Sequence, residues 1–391
     1  MPTELTNEQA ARLLSHFEGR RGEVLRIARE LCEAESPSGD SEGSRAVVNI
    51  LSRTMGELVA VSSVERVAAA EDYGEHLRVE AFGPAGGAAR PLLVLGHTDT
   101  VHPRGTLAER PWREEDGRIY APGIFDMKAG CAVAVEVLRA CAELELAPAG
   151  PVVLLLTCDE ETGSATGRAL VEREARGARA VLVLEPPAPG GRVKTGRKGT
   201  GMFVLSAEGR AAHAGLEPEK GASAVLEIAR QIERLHSLAD PSKGTTVNVG
   251  VVSGGTHSNV VAAQARAEID IRFNTLAEAE RIEREIRAPV PFDSRVRLGV
   301  SGGINRPPLE RTAPVAALYE HARRQAGLIG FDLGEASVGG ASDGNFAAAC
   351  GAPVLDGLGV EGDGAHAAHE HILADSVARR AALVASLVAT L

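Results

Sequence analysis

The sequence predicts an α/β chain built on a mostly parallel mixed sheet, with a smaller α+β unit of ferredoxin-like order inserted into it. Three observations carry this reading. Pro91–Leu95, Pro151–Leu156 and Ala180–Leu184 are short, almost wholly apolar runs, as expected of strands buried on both faces. Helical stretches, Met127–Glu145 and Ser164–Arg176, lie between them, and strand–helix alternation argues for a parallel sheet. After Gly196 the order becomes strand, helix, strand, strand, helix, strand, the split-βαβ arrangement.

In chain order, a helix is expected from about Thr6 to Cys32, stopped by Ser36, Pro37 and Ser38, and a second over Ser41–Leu51. The three apolar strands and their helices follow. Strands Met202–Glu208, Thr245–Val252, Ala265–Phe273 and Arg295–Ser301, with helices Gly221–His236 and Leu276–Arg287, make the inserted unit. Near Arg306 the first style returns, with helix Ala313–Gly327, a Gly-rich loop and a last helix Ala374–Leu391. The expected larger domain is therefore 1–196 with 306–391, and the insert 197–305.

Bulk properties narrow the function. A chain of 391 residues exceeds one ordinary core, so two domains are expected. A net charge of -11 with 3% aromatic residues lacks the cationic and stacking footprint of a nucleic-acid binder. Carboxylates gathered around metal ions would also raise the acidic count. No apolar run approaches the roughly 20 residues of a membrane helix, and Met1–Leu14 is polar, without the pattern of a signal peptide. The expected compartment is the cytoplasm. The five cysteines are odd in number and show no metal-like spacing, so they read as reduced, mostly buried thiols.

Chemistry concentrates where the three apolar strands end. Gly96-His97-Thr98-Asp99-Thr100 follows the first, Asp159-Glu160-Glu161-Thr162-Gly163 the second, and Glu185 the third. Open α/β sheets bind ligands beyond the carboxyl ends of their strands. His97 and Asp99, two apart in extended chain, point to one side. One can ligate a metal while the other orients it, or either can simply cap the strand end. Glu160 and Glu161 can be aimed separately in a loop, one to a metal and one left as a base; the plain alternative is a solvated acidic turn. Asp126 is either the N-cap of the helix beginning at Met127 or a carboxylate bridging two metals. Near the C-terminus, Gly339-Gly340-Ala341-Ser342-Asp343-Gly344-Asn345 precedes Gly364-Ala365-His366-Ala367-Ala368-His369-Glu370-His371, whose three histidines suggest a metal ligand beside a glycine loop.

Taken in order, GHTDTV, PGIFDMKAG, DEETG, the glutamate after a strand, AAHAG, GGASD and GAHAAHEHI resemble the M20 metallopeptidase family: glutamate carboxypeptidases, acetylornithine deacetylases and succinyl-diaminopimelate desuccinylases. The resemblance runs from about Leu13 to Val388. It implies a zinc-peptidase catalytic domain with an inserted ferredoxin-like lid that also dimerises, and two Zn²⁺, with Co²⁺ or Mn²⁺ compatible with the same donors. It implies that His97 and Glu185 hold one metal, that Glu161 and His366 hold the other, and that Asp126 bridges them. His369 and His371 are the alternatives to His366. Glu160 would be the general base and Asp99 would orient His97. A cis peptide is implied between Asp126 and Met127. His213, in Gly209-Arg210-Ala211-Ala212-His213-Ala214-Gly215, would stabilise the oxyanion across a homodimer, aided by Asn259; the alternative is a histidine satisfied in a lid turn. Arg306, with Asn259 and Gly340, would bind a substrate carboxylate; the alternative is an exposed hinge arginine. A terminal glutamate on the substrate would need a further cation, for which Lys194, Arg197 and Lys198 are candidates.

The function so implied is hydrolysis of an amide bond in a small peptide or N-acyl amino acid with a free carboxylate. Aminopeptidases and dipeptidases of the same fold tend to carry Asp where this chain has Glu185. A non-catalytic metal-binding scaffold is the reading from another class, and a two-metal phosphoesterase lacks a phosphate-cradling loop here.

Overall fold

The computed structural model describes residues 3–70, 73–83 and 89–391; the first two residues of the N-terminal segment lie outside them. The chain divides into two compact units. One comprises Met1–Thr195, Arg311–Val338 and Ser342–Leu391, the other Gly196–Glu310 with Gly339–Ala341. Arg306 and Gly340 thus belong to the second unit.

The first unit is built on a six-stranded mixed sheet. Its order is Val61–Ala68, Glu75–Ala81, Val152–Thr157, Leu92–His97, Ala180–Val183 and Val354–Leu355. The last four run parallel, while the first two are antiparallel additions at one edge. The sequence pattern does not single out those two: Val61–Ala68 is buried at no position and Glu75–Ala81 only in part, so both lack the continuous apolar run that marks their neighbours. The parallel strands Leu92–His97, Val152–Thr157 and Ala180–Val183 are buried at every position.

Helices cover the sheet. Asn7–Glu33 begins at a capping box in which Thr6 accepts from the Gln9 backbone and Gln9 returns the bond. It packs with Ala129–Glu143, Ala313–Ile329 and Ser376–Thr390. Ser376–Thr390 is buried almost throughout, its Leu383, Val384, Leu387 and Val388 lying in the core. Among the described residues, no helix is long and apolar enough to cross a membrane.

The second unit is an antiparallel four-stranded sheet, in the order Thr246–Gly254, Gln264–Phe273, Gly199–Glu208 and Arg297–Arg306. Helices Ala224–His236 and Leu276–Arg287 pack on it, and Ile228, Leu235, Ile282 and Ile286 meet Phe203, Ile269 and Phe273 in a separate core. The chain order is βαββαβ.

Candidate metal centre

The three buried parallel strands deliver their polar ends to one edge of the first unit's sheet. His97 is the last residue of its strand, Glu160 and Glu161 form a tight turn just after Val152–Thr157, and Glu185 follows Ala180–Val183. A second, small antiparallel sheet supplies the rest. Its strands are Gly362–Asp363, His371–Leu373, Arg118–Tyr120 and Arg113–Glu115. His366 sits in the loop between the first two of these. The chain leaving Arg118–Tyr120 runs directly into the turn Ile124–Lys128, which carries Asp126.

That turn is not the start of a regular helix. Asp126 and Met127 have non-helical backbone angles and the peptide between them is cis. The helix begins at Ala129, with Lys128 in the capping position, so Asp126 does not act as its N-cap. Gly123 enters the turn with φ +72°, a conformation open to glycine. The helix after Asp159 likewise starts later than the sequence suggests, at Arg168. Asp159 accepts from the backbone of Thr166 at 2.6 Å and of Gly167 at 3.2 Å, and Ser164 has φ +58°, so this segment is a turn rather than a first helical turn.

Asp126 presents one carboxylate oxygen to each of two imidazoles. Its Oδ1 lies 3.1 Å from His97 Nε2 and its Oδ2 3.4 Å from His366 Nε2. Glu185 Oε1 is 3.4 Å from His97 Nε2, and Glu161 Oε2 is 3.0 Å from His366 Nε2. Two sets of three have ligand atoms all within 4.8 Å of one another: His97, Glu160 and Glu185, and His97, Asp126 and Glu161. Glu160 is therefore itself a member of one of these groups, 7% exposed. His366 is the histidine of its tract that reaches these carboxylates. His371 instead packs on Tyr120, ring centroids 5.1 Å apart, and its Nδ1 donates to the His369 carbonyl. His366 is exposed, so the cluster meets solvent on that side.

Asp99 has two tasks. The His97 Nδ1–H donates to the Asp99 carbonyl at 3.0 Å, with the Asp99 carboxylate 3.4 Å away. The carboxylate also accepts from the backbone of Glu160 at 3.2 Å, of Glu161 at 3.1 Å and from the Ser38 hydroxyl at 2.6 Å. It thus aligns the imidazole and holds the Glu160–Glu161 turn. Burial alone would raise its pKa, but His97, Ser38 and the Glu161 N–H hold the carboxyl below its ordinary range.

The electrostatics call for positive charge. With its proton on Nδ1, His97 turns the Nε2 lone pair towards two carboxylate oxygens, an arrangement that needs a proton or a cation between them. Burial lowers the His97 pKa, yet Asp126, Asp99 and Glu185 together carry it well above its ordinary value. Asp126 and Glu161 push His366 up to about 10. Burial raises Glu161, whose Oε1 is buried with no hydrogen-bond partner among the described residues. Three convergent carboxylates, two imidazole nitrogens and an orphaned carboxylate oxygen fit bound cations, and the oxygen and nitrogen donors suit zinc, cobalt or manganese.

Of the remaining expected site residues, all but Lys194 belong to the second unit. His213 is exposed, its Nδ1 accepting from the Gly215 N–H at 3.1 Å. It is adjacent to Asn259, whose carbonyl accepts from the Ala214 N–H at 2.9 Å. Arg306 ends the strand Arg297–Arg306 and is buried at 8% exposure. Gly340 accepts from Arg197 Nη1 at 3.2 Å through its carbonyl, and Lys198 bonds the Gly244 carbonyl. Lys194, in the first unit, is buried. Sequence reasoning passed over Ser38 and His102, and used Glu370 only as a landmark. A serine or histidine without a motif gives no signal of the carboxylate it will meet in the fold.

Comparison with known proteins identifies the family. Residues 93–390 match the profile of peptidase family M20/M25/M40. The chain is 30% identical over 372 residues to carboxypeptidase G2 of Pseudomonas sp. (strain RS-16), covering 93% of this chain and 88% of that one. It is 31% identical to the succinyl-diaminopimelate desuccinylase of Methylobacterium sp. (strain 4-46), covering 79% and 81%. Among solved structures, the aminopeptidase PepT of Bacillus cereus superposes with a TM-score of 0.77 at 23% identity, covering 95% and 98%, a likeness of fold.

Proposed function

The chain belongs to peptidase family M20/M25/M40, and from that premise we propose that it is a two-metal hydrolase cleaving an amide bond in a small peptide or N-acyl amino acid with a free carboxylate. The observation that carries this is the pair of imidazoles joined by the two oxygens of Asp126 and flanked by Glu161 and Glu185. His97, Asp126 and Glu185 would hold one cation, and Asp126, Glu161 and His366 the other. Such ions, zinc in the first instance, supply Lewis-acid polarisation of the scissile carbonyl and make water easier to deprotonate.

The chain's own residues do the rest. Glu160, close to His97 and Glu185 but not among the five ligands assigned here, takes the proton of the attacking water and passes it to the leaving nitrogen. Asp99 keeps the His97 ring aligned and the Glu160 turn in place. His213 and Asn259 donate to the oxyanion, with His213 reaching the site of a second protomer in a homodimer formed through the lid. Arg306, with Asn259 and Gly340, receives the substrate carboxylate in a planar two-bond fork. The similar proteins are named a carboxypeptidase and a desuccinylase, and both names fit hydrolysis of a peptide or N-acyl substrate. A C-terminal glutamate on the substrate and a cytoplasmic setting complete the reading.

The test is an assay of chelator-stripped and zinc-reloaded protein against N-acyl amino acids, dipeptides and their amides. Metal-dependent hydrolysis of the free acids supports the proposal. Full metal loading with no hydrolysis of any compound, or equal turnover after stripping, overturns it.

A further inference from the structure

Glu370 is buried at 3% exposure, in a loop otherwise largely open to solvent. Its carboxylate is surrounded by four donors from two other segments. Oε1 accepts from the backbone N–H of Phe125 at 2.9 Å and of Asp126 at 3.0 Å. Oε2 accepts from the Gly123 N–H at 2.8 Å and from His102 Nε2 at 2.6 Å. A carboxylate oxygen can only accept, so the His102 proton lies on Nε2 and Nδ1 is left to accept. Arg110 Nη2 donates there at 3.3 Å, while its Nη1 donates to the Ala367 carbonyl at 3.3 Å. The chain Arg110–His102–Glu370 therefore ties together the Asp126 turn and the loop that carries His366.

We propose that Glu370, oriented by His102 and Arg110, is a positioning residue that sets the spacing between Asp126 and His366. The turn at Asp126 has irregular backbone and makes no helix capping bond of its own, so its N–H groups need an acceptor. Glu370 provides it from the His366 loop, four residues beyond the ligand. One carboxylate thus anchors both sides of the second cation site, and its charge strengthens each bond it accepts. The inference rests on the reading of Asp126 and His366 as metal ligands.

The experiment titrates metal-free full-length protein with Co²⁺, reading affinity, stoichiometry and the visible absorption of the bound ion. Glu370→Gln keeps the shape but places an amide N–H₂ against one of the donors. The expected result is about 10–100-fold weaker binding of the second Co²⁺, as for other partners one step removed from a ligand, together with an altered spectrum and unchanged far-ultraviolet circular dichroism. Arg110→Ala, at a half-buried position that leaves the carboxylate in place, shifts the same readings in the same direction by less. Wild-type affinity and spectrum in folded Glu370→Gln overturn the proposal. If Glu370→Gln does not fold, unchanged Co²⁺ binding in Arg110→Ala overturns it. Failure of the wild type to bind two ions is the separate signature that the two-metal reading itself is wrong.

Discussion

Asp126 directs its two oxygens to different imidazoles, so the chemistry of the centre depends on single carboxylates rather than on bulk charge. The adjacent pair Glu160 and Glu161 divides accordingly. Glu161 faces His366 with one oxygen left without a hydrogen-bond partner among the described residues, while Glu160 stands beside His97 and Glu185. Glu160→Gln is expected to retain the wild-type metal content and to lose about 10²–10⁴-fold in kcat, the range of general-base catalysis. Elemental analysis with steady-state kinetics checks this, and near-wild-type turnover at full metal load would remove Glu160 from the role. Arg306 gives a second test at this scale. A charged hydrogen-bonded pair contributes about 1.5–3 kcal/mol, roughly ten- to a hundredfold in kcat/KM. Arg306→Ala should show that loss on free-acid substrates and much less on their amides; equal losses on both would mean that Arg306 does not read the carboxylate.

Elements turn these residues into a site through close packing at their ends. Helix Ala129–Glu143 lies against the strand end that leads into Glu185, and a Cβ added at Gly130 would come 2.5 Å from the Leu184 carbonyl oxygen. That contact is with backbone and cannot be relieved by a rotamer change. Gly130→Ala should cost about 1–3 kcal/mol, as overpacking does, and weaken metal binding by displacing Glu185. An unchanged melting temperature and unchanged metal affinity would show that the helix can move away freely. In the second unit, Glu278 joins the start of helix Leu276–Arg287 to the turn that precedes strand Thr246–Gly254. It bonds Thr245 Oγ1 at 2.9 Å and pairs with Lys243 at 3.0 Å and Arg281 at 2.8 Å. Arg281 foremost, then Lys243 and Thr245, hold its carboxyl at about 2, below the ordinary 4.5. The folded pKa is depressed, so this stabilisation is present above 4.5 and is lost as pH falls towards about 2. Urea unfolding across that window should show a smaller acid loss in Glu278→Gln than in the wild type. Identical pH slopes would mean that the pair contributes nothing to the unit's stability.

At the scale of the whole molecule, the proposal that His213 acts across a homodimer makes a prediction about mixed protomers. The proposed oxyanion donor, His213, and the proposed base, Glu160, lie in different units of the chain. Removing an oxyanion donor costs about 10²–10³ in rate. If His213 serves the neighbouring protomer, mixing His213→Ala with Glu160→Gln protein should restore activity, because a mixed dimer contains one site with both groups intact. Light scattering and a subunit-exchange assay establish that mixed dimers form. Exchange without recovered activity excludes the arrangement in trans.

Much of this was legible in the linear order. The three apolar runs marked the buried parallel strands because strands covered on both faces have no polar alternation to obscure them. Their polar termini marked His97, Glu160, Glu161 and Glu185 because a parallel sheet brings successive carboxyl ends to one edge. The edge strands Val61–Ala68 and Glu75–Ala81 were not legible, since segments exposed at many positions resemble many loops. Among His366, His369 and His371, the resemblance favours His366, but local pattern alone does not separate three residues of one type within six positions. In the structure the small sheet of Arg118–Tyr120 and His371–Leu373 sends His371 to Tyr120, and His366 lies by Asp126 and Glu161. The sequence by itself determined which donor types stand at which strand ends, because local pattern and chain direction are enough for that. Only the tertiary structure decided which atoms meet, because Glu370, His102, Ser38 and Asp99 act on partners distant along the chain, and such contacts leave no periodicity to read.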